Sequence, residues 1–80
     1  MPPTDRKYAK QNLQRALGHC DDIINYLRAV GMAFFNKGEE VEQNNGQFPQ
    51  EYLDIMGNLD IFIEGQQLIK DGITKIESSF

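Results

Sequence analysis

From Tyr52 to Phe80 the apolar positions recur at steps of three and four: Tyr52, Ile55, Leu59, Phe62, Ile69, Ile73, Ile76 and Phe80, with Gln66 the one polar member of the row. That spacing predicts an α-helix with one face held on a partner. A second row, Gly57, Ile61, Gly65, Leu68 and Gly72, lies on a neighbouring face. A surface helix needs only one apolar stripe, so two predict packing on two sides. The run Leu59 to Ile63 is rich in β-formers and invites a strand. The unbroken helical period on either side argues against it.

Earlier in the chain Ala9, Leu13, Ala16, Cys20, Ile23, Leu27, Val30 and Phe34 repeat the same steps, with Leu17 and Ile24 widening the stripe. Met1-Pro2-Pro3 predicts a short extended lead, and Thr4 an N-cap with Asp5 at the positive helix end. Lys37-Gly38 predicts a stop, glycine being the usual residue of a left-handed C-terminal turn. Asn44-Asn45-Gly46 is a turn signal within a polar stretch, and Pro49 suits the first position of a second helix. The expected organisation is one domain over 1–80: helix one at about 5–36, a loop at 37–48 and helix two at about 49–78. The fold class is all-α, a long antiparallel helical hairpin whose helices are each about 45 Å long. Helix one cannot cover both rows of helix two, so the hairpin is expected to assemble into a multi-helix homo-oligomer.

Size supports self-association. Eighty residues with one cysteine, Cys20, admit no intrachain disulfide, and one histidine with one cysteine excludes a zinc finger. Association is the remaining means of stabilising so small a chain. The lone cysteine points to a reducing, cytoplasmic setting. No apolar run near a membrane-spanning length and no signal-peptide pattern occurs, so neither membrane nor secretion is expected. The net charge of −4 argues against a nucleic-acid duplex as partner.

Catalytic motifs are missing. His19-Cys20-Asp21-Asp22 is the only cluster of classical site residues, but two ligands on one helix are too few for a metal. No histidine lies near Thr74, Ser78 or Ser79 to activate a nucleophile. Asp60 and Glu64 are explained by a solvated face. Neither an enzyme nor a cofactor is expected. Gln66 fixes register in a core or hydrogen-bonds a ligand there. The glycines inside the helices, each costing about 1 kcal/mol relative to alanine, allow close helix approach or make room for a ligand.

Charge is distributed unevenly. Antiparallel packing brings Arg6, Lys7, Lys10 and Arg15 to the same end as Lys70 and Lys75, with Tyr8 and Phe80 beside them. Cations with aromatic faces suit a ligand bearing phosphates and bases. A meeting with the acidic loop end of another copy is the alternative use of that charge.

Arg15-Ala16-Leu17-Gly18, followed by Ile23-Ile24-Asn25-Tyr26-Leu27-Arg28, resembles the entry of the long helix in the anti-CBASS and anti-Thoeris sponge family. These small phage proteins are helical hairpins that sequester cyclic nucleotide signals of bacterial defence. Tyr52-Leu53-Asp54-Ile55 is similar to the opening of that family's second helix, and Gly65, Lys70 and Phe80 to further positions. The loop differs, and Lys70 stands where an arginine is expected nearby. The resemblance implies a homo-oligomer with ligand pockets between protomers, Tyr8 stacking on a base and Arg15 and Lys70 holding phosphates. With Phe80 at the same end, these are the expected ligand-binding residues. The alternative function is a protein-binding helical adaptor, chaperone or inhibitor whose second apolar row docks a partner helix.

Overall fold

Both rows of apolar residues form helices. The computed structural model describes residues 3–80, with side chains from Asp5 onward. Helix α1 spans Pro3–Gln43 and α2 spans Gln50–Ser78, and the two pack along their lengths as an antiparallel hairpin. The pairings show the direction: Gln14 meets Glu77, Asp21 meets Lys70, Gly31 faces Leu59 and Phe34 meets Tyr52. No strand forms among the described residues, and Leu59–Ile63 is helical.

The α1 boundaries differ from the expectation at both ends. The extended lead at Met1 and Pro2 lies outside the described residues. The helix already includes Pro3 and Thr4, so Thr4 is not its cap. Proline suits the opening of a helix, where its missing N–H has no intrahelical partner to lose. At the other end α1 does not stop near residue 36. It passes through Gly38, which is buried, because that position faces the ring of Phe48 and has no room for a side chain. Glutamates favour helix beyond it, and Val41 returns to the packed face.

Asn44-Asn45-Gly46 ends α1 as the turn signal predicts. Asn45 takes the left-handed conformation at φ 68°. Its N–H donates to the Glu42 carbonyl at 3.1 Å, while Gly46 N–H donates to the Val41 carbonyl at 2.9 Å. This is a Schellman closure with asparagine in the left-handed place. Pro49 caps α2 one position before its start rather than occupying the first turn, its carbonyl accepting from Tyr52 N–H at 3.0 Å. Phe34, Phe35, Phe48 and Tyr52 gather over this end, Phe34 edge-on to Tyr52 at 5.2 Å.

The seam follows a 3.5-residue period, the hallmark of left-handed coiled-coil packing. On α1 its positions are Leu13, Leu17, Cys20, Ile24, Leu27, Gly31, Phe34, Gly38 and Val41. On α2 they are Tyr52, Met56, Leu59, Ile63, Gln66, Lys70, Ile73, Glu77 and Phe80. Part of the expected ladder is therefore displaced. On α1 the seam takes Ile24, already in the wider stripe, and Gly31 over Ile23 and Val30; on α2 Ile63, Lys70 and Glu77 replace Phe62, Ile69 and Ile76, while Ile55 and Met56 are both half-buried. Two of the polar members find a partner across the seam: Lys70 the Asp21 carboxylate, Glu77 the Gln14 amide. Among the described residues only Cys20 and Ile24, 7% and 5% exposed, form a buried apolar core.

Candidate functional site: a basic groove at the open end

The side chains at the start of α1 build a groove. Residues three and four apart share a helix face, so Arg6, Lys7, Lys10, Gln11 and Gln14 line one side of the hairpin's open end, with Arg15 beyond and Glu77 from α2. They border a shallow depression of about 690 Å³ that is largely open to solvent. Four cations face one carboxylate. That carboxylate accepts from Gln14 Nε2 at 2.7 Å, and the excess of three positive charges makes the field of the groove positive. Arginine forks and lysine ammonium groups in such a cluster suit an anion with several phosphate oxygens.

Of the four expected ligand residues, only Arg15 lines this groove. Tyr8 is 68% exposed and stands two turns before Arg15 on the same row, at the border of the cations. Lys70 lies further along the seam, ion-paired with Asp21, so its charge is already used. Phe80 is half-buried at the end of α2. The structure thus collects the cations of α1 and leaves Lys70 and Phe80 outside the groove lining. Sequence reading missed Gln11, Gln14 and Glu77. Their signal is positional, since they lie one turn from the cations or directly across the seam.

His19, Cys20, Asp21 and Asp22 do not converge. Cys20 points into the seam, Asp21 toward Lys70, and His19 and Asp22 into solvent. Among the described residues no group of three His, Cys, Asp or Glu side chains comes together as a metal site.

Exposed apolar residues form the other unusual surface. On α2, Ile61, Phe62, Leu68, Ile69 and Ile76 are between 51% and 71% exposed. On α1, Ile23, Tyr26 and Val30 are exposed as well. Both sets leave the seam by the same sense of rotation in helices of opposite direction, so they emerge on one side of the hairpin. The basic groove lies on the other side, as does a second cleft of about 440 Å³ between Arg28, Met32 and Phe35 of α1 and Met56, Asp60 and Ile63 of α2. No helix among the described residues is long and apolar enough to cross a membrane.

No family model matches this chain, and neither does any curated protein or solved structure.

Proposed function

We propose that this chain is a non-enzymatic, self-associating helical hairpin that captures and sequesters a small anionic ligand. The cyclic nucleotides of bacterial immune signalling are the class named by its resemblance to the phage counter-defence sponges. The observation that carries this reading is the groove, where Arg6, Lys7, Lys10 and Arg15 face a single, hydrogen-bonded carboxylate. Phosphates sit among these cations, and the exposed ring of Tyr8 offers a face for a base. Lys70, paired with Asp21, lies outside the groove lining. The setting is the reducing cytoplasm, where a lone buried thiol stays free.

The test is a thermal-shift screen of cyclic di- and trinucleotides at low salt. A ligand at a hundredfold excess over its Kd stabilises by about 2.7 kcal/mol, which for a chain of this size raises Tm by about 15 °C. Arg15→Glu abolishes the shift, and added salt reduces it by screening exposed charge. A flat response across the whole panel overturns the reading.

A second reading, a helical adaptor that docks a partner protein, draws on the exposed apolar side. A closed oligomer by light scattering, with no dye-accessible apolar surface, removes its basis.

A further inference from the structure

Helix α2 turns toward α1 a row that includes Gln66, Lys70 and Glu77, and turns outward a row containing Phe62, Ile69 and Ile76. A hairpin acting alone would bury the second row. The outward residues are also ordered about one point. Ile61 and Ile69 lie one helical turn on either side of Gly65, and Phe62 and Leu68 lie just inside them. A side chain at Gly65 would meet nothing within 4 Å, so packing inside the hairpin does not require the glycine.

We propose that this face binds a second copy of the chain in a two-fold antiparallel pair whose α2 helices cross at Gly65. A two-fold contact is self-complementary. Ile61 meets the partner's Ile69, Phe62 meets the partner's Leu68, and Gly65 faces its own copy where the backbones approach closest. Charge selects the antiparallel direction. Glu51, Asp54, Asp60 and Glu64 make the first part of α2 acidic with no cation, while its last part mixes Lys70 and Lys75 with Asp71 and Glu77. Antiparallel pairing sets Asp54 opposite the partner's Lys75, whereas parallel pairing sets like charges together. Area agrees. The hairpin exposes 6077 Å², against about 4,900 Å² for a folded monomer of its mass. The excess exceeds the roughly 800 Å² per partner that a standard interface buries.

The pair leaves the basic groove open, because Arg6, Lys10 and Gln14 line the opposite side. The inference deepens the self-association in the reading above and does not depend on the groove holding an anion.

Sedimentation velocity on the full chain tests it. The wild type sediments as a dimer or an even multiple, and Gly65→Leu weakens association about a hundredfold with helicity by circular dichroism equal or higher. A wild-type monomer overturns the proposal and assigns the face to a different protein. Undiminished association of Gly65→Leu overturns the crossing point. Oxidative cross-linking in a Cys20→Ala background reads orientation: Gly65→Cys links to its own copy and Gly57→Cys does not. Equal linking at both positions means parallel helices and overturns the pairing. Nucleotide titration of Gly65→Leu separates the two readings, since binding there without dimerisation supports the groove alone.

Discussion

At the residue scale, glycines with the same chemistry have opposite roles. A Cβ at Gly46 would lie 2.6 Å from Val41 Cγ1 and 3.0 Å from its carbonyl oxygen, both inside the closure that ends α1. Gly46→Ala therefore lowers stability by about 1–3 kcal/mol, seen as a lower urea midpoint at unchanged m-value. Gly18 is exposed, with nothing within 4 Å of an added Cβ. Gly18→Ala raises stability by about 1 kcal/mol through helix propensity, and the same urea titration shows the midpoint moving up. Asn45 and Gly46 were legible in the sequence because their turn chemistry is local. Gly38 was not. Its role is set by the Phe48 ring, which reaches it only after the chain has reversed, so a glycine inside the helix looked like a stop.

At the element scale, periodicity identified two helices and more than half of each seam, and the connection between them gave their antiparallel order. Tyr52, Leu59, Gln66, Ile73 and Phe80 belong both to the expected ladder and to the observed seam. The alternating position between them has two candidates one residue apart. Choosing by apolarity alone selects Phe62, Ile69 and Ile76, whereas the hairpin takes Ile63, Lys70 and Glu77, whose polar groups find Asp21 and Gln14 across the seam. On α1 the same ambiguity separates Ile23 from Ile24. Ile24→Ala costs about 2–3 kcal/mol, the lower end for a buried aliphatic truncation in so thin a core. Ile23→Ala, at a residue 40% exposed, costs well under half of that, and paired denaturation curves decide between the rows. The Lys70–Asp21 pair is partly exposed on both sides, so Asp21→Asn costs no more than about 1 kcal/mol, and the difference from wild type vanishes in high salt.

At the scale of the molecule, the hairpin is a rod of 65 × 14 × 13 Å with a radius of gyration of 18.6 Å, where a compact chain of its length would have about 12 Å. So long a pair of helices has almost no interior, which is why Cys20, Ile24 and Gly38 are the only buried positions among the described residues. The candidate site was legible to the extent that it is local. Arg6, Lys7, Lys10 and Arg15 are close in sequence and stay together on α1. Lys70 and Phe80 depended on the register of α2, and that register carried Lys70 to Asp21 instead. The resulting rod is two-sided, with cations gathered on one side of its open end and most of the uncovered apolar residues on the other. The first side suits an anion and the second suits another copy. Native mass spectrometry of the purified protein tests both together. The account predicts an even-numbered assembly of the 9.2 kDa chain that retains an added cyclic nucleotide and loses it in Arg15→Glu; a monomer that retains none of the nucleotides offered contradicts it.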